Sequence, residues 1–163
     1  MTRRGVLASA GAGASAAALG GAPARAQTAA RKTFVLVHGA WHGGWCWRRV
    51  ADVLQQRGHN VFTPTMTGLG ERSHLIDGKI NLTTHVTDIV NVIKWESLND
   101  IVLVGHSYGG IIISGVAEAM RDTIGSIVFL DAFVPESGDS VATQASQPFW
   151  SRSPPRRRRA RQS

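Results

Sequence analysis

The ten residues Ile101-Val102-Leu103-Val104-Gly105-His106-Ser107-Tyr108-Gly109-Gly110 constrain the fold more than any other stretch of the chain. Four aliphatic residues in a row read as a strand buried on both faces, as in parallel sheets. That strand runs into Gly105-His106-Ser107-Tyr108-Gly109, a G-x-S-x-G pattern. Such a serine sits on a strained strand-to-helix turn, and the glycines let neighbouring backbone come close. Gly110 to Met120 is apolar on nearly every side and predicts a buried helix. A helix starting there turns its N–H groups and the positive end of its dipole toward the serine, which favours an anion forming beside it. Ser107 is therefore the candidate nucleophile, and a buried structural serine is the alternative.

The middle of the chain alternates strands and helices. Lys32 to Val37 reads as a strand, and Trp47 to Arg57 as a helix stopped by Gly58. Asn60 to Thr63 reads as a second strand closed by Pro64, and Thr65 to Asn81 as a long polar loop. Val86, Ile89, Val90 and Ile93 mark one face of a further helix, with Thr83 or Thr84 as its N-cap. Ser126 to Leu130 is a fourth strand ending at Asp131. This order predicts an α/β fold, a parallel sheet flanked by helices. Sites in such sheets form at the carboxyl ends of strands, where His38, Ser107 and Asp131 fall. The pattern also asks for a second oxyanion donor from the loop after the first strand. The backbone N–H of Ala40 is the candidate, paired with that of Tyr108.

A nucleophilic serine needs a base. The six histidines lie at 38, 42, 59, 74, 85 and 106, so none follows Ser107. His38 reads as a loop-shaping residue, and His106 as pointing away from the site. His42 and His74 fall in loops bordering the pocket, while His59 and His85 read as ordinary surface or packing residues. No histidine pair has metal-ligand spacing, so neither a metal nor a cofactor is expected. The single cysteine, Cys46, excludes an internal disulfide; between Trp45 and Trp47 it reads as a buried thiol.

The net charge of +7 belongs to the ends. Residues 1–26 hold three arginines and no acid, and residues 147–163 hold six arginines and no acid. Residues 27–146 hold nine Lys/Arg against eleven Asp/Glu. The start has Arg3-Arg4, an Ala/Gly-rich run and Ala24-Arg25-Ala26, the layout of a signal peptide of twin-arginine type with cleavage before Gln27. A membrane anchor and an unstructured tail are the alternatives. Residues 147–163 read as a disordered Arg/Pro-rich tail: an out-of-frame product, a solvated end or a basic arm. The expected domain is thus 27–146, in an exported protein. Neither nucleic-acid binding nor a membrane span in the mature chain is expected.

Phe34-Val-Leu-Val-His-Gly-Ala-Trp-His-Gly-Gly-Trp-Cys-Trp47, then Gly58-His59-x-Val61, Gly68-Leu-Gly70 and Gly105-His-Ser-Tyr-Gly-Gly110 resemble the α/β-hydrolase superfamily. The resemblance covers about 32–140. It is strongest to the branch of plant methyl-ester esterases, hydroxynitrile lyases and their bacterial relatives. It implies a serine hydrolase acting on a small-molecule ester through a Ser107 acyl-enzyme. Gly39 stands where the lyases tend to carry threonine, and the lyases' C-terminal lysine has no counterpart, which tilts the reading toward esterase. The family places its acid and then its histidine after the nucleophile, and Asp131 lies where a few members place the acid. Against that pattern, an incomplete fold lacking the lid, beginning near Val134, and the last strands is expected. The catalytic reading then implies impaired turnover and an unpaired apolar sheet edge; the alternatives are a non-catalytic remnant or a basic interaction protein.

Overall fold

The computed structural model describes residues 30–136 and 138–139. The proposed signal peptide at 1–26 and the Arg/Pro-rich tail at 147–163 lie outside them. The described residues form a four-stranded, all-parallel sheet of order β2-β1-β3-β4. The strands are β1 (Thr33–Val37), β2 (Asn60–Phe62), β3 (Ile101–Ser107) and β4 (Ile124–Ala132). The helices α1 (Arg48–Gln56), α2 (Leu82–Trp95) and α3 (Gly109–Ala119) connect them.

The central strands alternate between two cores, which is why their sequences read as unbroken apolar runs. Val35, Val37, Ile101 and Leu103 pack with Ile89, Ile93, Ile112, Ile113 and Val116 of α2 and α3. Leu36 and Val104 face the other way, against Trp47, with Leu54 of α1 partly buried beside them. All the members of the first core are at most 8% exposed.

Several expected boundaries move. The N-cap of α2 is Asn81, not Thr83 or Thr84: its side chain accepts from Thr84 N–H, and the Thr84 hydroxyl closes a capping box on Asn81 N–H. The α1 segment is preceded by a 3-10 turn, Gly44–Trp47. The loop at 65–81 contains another, Gly70–Leu75. The α3 helix is buried from Gly109 to Ile113 and at Val116, but Glu118 and Ala119 are exposed, so its apolar character does not bury its last turn.

Candidate active site

β3 ends on Ser107 and α3 begins at Gly109, so the whole reversal is made by Ser107 and Tyr108. Ser107 has φ 53°, in the left-handed region that side-chain-bearing residues seldom occupy. Glycine is required on either side by close approach. A Cβ on Gly105 would lie 2.6 Å from Gly109 O, and one on Gly109 would lie 2.7 Å from Val37 O. The loop after β1 presses directly on the serine. A Cβ on Gly39 would be 3.1 Å from Ser107 Cβ and 3.5 Å from its Oγ. Ala40, the candidate donor, follows at once and is half-buried. From the other side, Phe133 N–H donates to Ser107 O at 3.1 Å.

The loop carrying Ala40 is held by side chains and backbone of residues 65–72. His38 is fully buried; its Nδ1 bonds Gly39 O at 2.8 Å, and its Nε2 accepts from Met66 N–H at 3.1 Å. Burial lowers the His38 pKa and keeps the ring neutral, as that acceptor role requires. Gly44 N–H donates to Thr65 Oγ1 at 2.7 Å, and the Thr65 hydroxyl in turn donates to Glu71. That hydroxyl is the main reason the Glu71 carboxyl sits below the usual carboxylate range. Arg72 caps the arrangement on Thr65 O at 2.8 Å.

Of the two expectations for His85, surface or packing, the structure takes the second and adds hydrogen-bond partners. His85 is 6% exposed, with Nδ1 3.0 Å from the Tyr108 hydroxyl and Nε2 3.0 Å from Thr67 O. A signal was available: His85 precedes Ile89 and Ile93 at helical spacing, and a polar residue on a buried stripe requires partners. Burial also raises the Tyr108 pKa, so the phenol stays protonated.

The other histidines fall elsewhere. His106 stacks edge-on to Trp47 and His42, with centroids 6.4 Å apart in both cases. It lines a cavity of about 230 Å³ with Cys46, Val50 and Leu130. His42 also packs against Trp45, while His74 is exposed. His59 accepts from Lys32 N–H and packs on Phe34. Among the described residues, no imidazole or carboxylate hydrogen-bonds Ser107 Oγ. Cys46 corrects the expectation of a buried thiol: it is exposed, because the 3-10 turn sends Trp47 inward and leaves its two predecessors outside. Asp131 has φ 43° and lies in a register irregularity, with His106 opposite Leu130 but Ser107 opposite Ala132. Among the described residues, no group of three or more His, Cys, Asp or Glu is placed to hold a metal ion. No helix among them is long and apolar enough to cross a membrane.

This arrangement, a serine at a strained turn between a central parallel strand and a buried helix, is that of the α/β hydrolases. The chain belongs to that family: the family model described as "Alpha/beta hydrolase family" matches residues 34–162. The chain is 56% identical over 108 residues to the carbendazim hydrolyzing esterase of a Nocardioides species, covering 66% of this chain and 45% of that protein. It is 35% identical over 107 residues to salicylic acid-binding protein 2 of Nicotiana tabacum, covering 65% and 41%. Among solved structures, it matches an extracellular α/β-hydrolase from a Paenibacillus species with TM-score 0.66 and 38% identity, over 74% of this chain and 48% of that one. The chain thus spans under half the length of these relatives. Its lineage is that of the esterase-type serine hydrolases of this family.

Proposed function

We propose that Ser107 is the nucleophile of a carboxylic-ester hydrolase, and that the backbone N–H groups of Ala40 and Tyr108 receive the oxyanion. The observation that carries this reading is the positive φ of Ser107 at the β3–α3 turn, with the Gly39 backbone packed against its side chain. Strain of that kind costs of order 1–3 kcal/mol and persists where the surrounding structure enforces it, characteristically at functional sites. The Ser107 oxygen would attack the ester carbonyl and release the alcohol, and water would then cleave the acyl-enzyme. The substrate class is a small-molecule ester. One relative is named for carbendazim hydrolysis, so carbendazim is the first compound to try.

The domain reading is a leader at 1–26, a hydrolase unit at 27–146 and an Arg/Pro-rich tail at 147–163. Export rests on Arg3-Arg4 and Ala24-Arg25-Ala26, and one related structure is described as extracellular.

A second reading is favoured by one observation: among the described residues Ser107 Oγ has no imidazole partner, and no histidine follows it in these 163 residues. Without such a partner a serine hydroxyl is a weak nucleophile. Loss of the triad base leaves a residue of roughly 10³–10⁴-fold over water from oxyanion donors and binding. The test is hydrolysis of a 4-nitrophenyl ester and covalent labelling by a fluorophosphonate, on the 163-residue chain and its Ser107→Ala variant. Slow labelling that disappears in Ser107→Ala supports the nucleophile reading. Labelling that persists in the variant, or none in either, removes it.

A further inference from the structure

The α3 helix has no side-chain cap: its N-cap residue is Tyr108, whose side chain makes no capping bond. Backbone contacts hold this turn, but no side chain of the helix's own first turn caps it. The phenol instead runs to His85 on α2, with the two rings 5.8 Å apart and near perpendicular. Thr67 O is an acceptor only, so the 3.0 Å bond to it places the hydrogen on His85 Nε2. Nδ1 is then left as an acceptor for the Tyr108 hydroxyl. Thr67 is itself clamped to α2 one turn along: its N–H and hydroxyl donate to Asp88 at 2.7 and 2.9 Å.

The residue before Thr67 holds the other loop, since Met66 N–H donates to His38 Nε2, and His38 Nδ1 bonds Gly39 O. A continuous path thus runs from Gly39 through His38, Met66, Thr67 and His85 to Tyr108. From it we infer that residues 65–67 form a yoke setting the separation of the Ala40 and Tyr108 N–H groups, and that His85 is the positioning residue locking its Tyr108 end. The role as oxyanion donors rests on the Ser107 reading; the mechanical coupling does not. Donors aimed at a developing oxyanion act through placement, and a misplacement near 1 Å costs up to about 10²-fold in rate.

The test uses the full 163-residue chain, ¹⁵N-labelled, with Tyr108→Phe, His85→Phe and His85→Asn. The asparagine oxygen keeps an acceptor where Nδ1 stood. Two readouts are taken: the backbone amide shifts of Ala40, Met66 and Thr67, and the rate of fluorophosphonate labelling at Ser107. Tyr108→Phe and His85→Phe are expected to move all three amides and to slow labelling by about tenfold; His85→Asn, which keeps an acceptor for the Tyr108 hydroxyl but loses the donor to Thr67 O, is expected to recover the labelling rate in part and to leave the Met66 and Thr67 amides shifted. Unchanged Ala40 shifts in Tyr108→Phe would overturn the yoke. A labelling loss shared in full by His85→Asn would also overturn it, by assigning the effect to packing. If His85→Phe does not fold, Tyr108→Phe, which removes one oxygen, carries the test alone. If wild-type Ser107 is never labelled, the nucleophile reading fails, and the amide shifts still decide the coupling.

Discussion

β1 and β4 flank the same strand and are written in the same apolar alphabet, yet their surroundings are opposite. In β1, Val35 and Val37 are 0% exposed. In β4, Val128 is 42% and Leu130 48% exposed. Both pack against α3, but β1 pairs with β2 and β3, whereas β4 has β3 on one side and, among the described residues, no strand on the other. Aliphatic content therefore marks a strand suited to a parallel interior, while neighbours decide whether it is buried. For the site this means that Ser107 stands on the closely packed half of the sheet and looks across to an open one.

The largest expected contrast comes from the same truncation made in both halves. Leu103→Ala, at a fully buried β3 position, should cost about 3 kcal/mol in transfer and cavity terms. Leu130→Ala should cost under about 1 kcal/mol, because half of its surface is already in water. Urea unfolding measures both. Equal losses would mean that β4 is buried in solution, and the contrast would be gone.

Backbone clearance gives a second contrast of about 2 kcal/mol. Gly109→Ala sets a Cβ 2.7 Å from Val37 O and 2.9 Å from His38 O, and it should destabilise by that amount. At Gly78 a Cβ meets nothing within 4 Å and φ is not positive, so Gly78→Ala should be neutral or slightly stabilising. Similar denaturation midpoints for the two variants would show that the turn at Ser107 is not closely packed.

The pH dependence of the packed half is smaller and has a definite sign. Burial lowers the His38 pKa from its ordinary 6.5, so below that value the unfolded chain takes up a proton that the folded ring refuses. The His38 contribution to stability is thus fully present above the ordinary histidine range and declines as pH falls through it toward the lowered folded value. His38→Gln keeps an acceptor for Met66 N–H but cannot titrate. Its urea midpoint should therefore change less than wild type between about pH 7.5 and 5.5. A wild-type midpoint flat across that interval would contradict a buried neutral His38.

The elements around Ser107 were legible in sequence because local signals agreed there. The aliphatic run of β3, the glycines flanking the turn and the apolar start of α3 all point to one geometry. The expected unpaired sheet edge corresponds to β4, which among the described residues has no strand beyond it. The anchors were not legible in the same way. The Thr65–Glu71 and His85–Tyr108 bonds join residues brought together only by the packing of α2 and the 65–81 loop. Periodicity shows that His85 lies on a buried stripe, but not which hydroxyl meets it. Asn81 competes in sequence with the two threonines at 83 and 84, and the capping box uses one of them as its N3 partner. A cysteine between two tryptophans suggests an interior, but the 3-10 turn sends Trp47 inward and leaves Trp45 and Cys46 outside.

The smallest effect on stability should come from a charge on the open edge, and it separates burial from edge pairing. Val128→Lys places an ammonium on a 42% exposed position, where its stem lies along the strand and its head reaches water. The unfolding free energy should change by less than about 0.5 kcal/mol. Self-association should nonetheless fall, because an unpaired, apolar edge strand is a template for another chain and lysine blocks that pairing. Sedimentation velocity over a concentration series reads the second quantity, and urea unfolding the first. A large loss of stability would mean that β4 is covered in solution. Unchanged association would place the contact between molecules on some surface other than this edge.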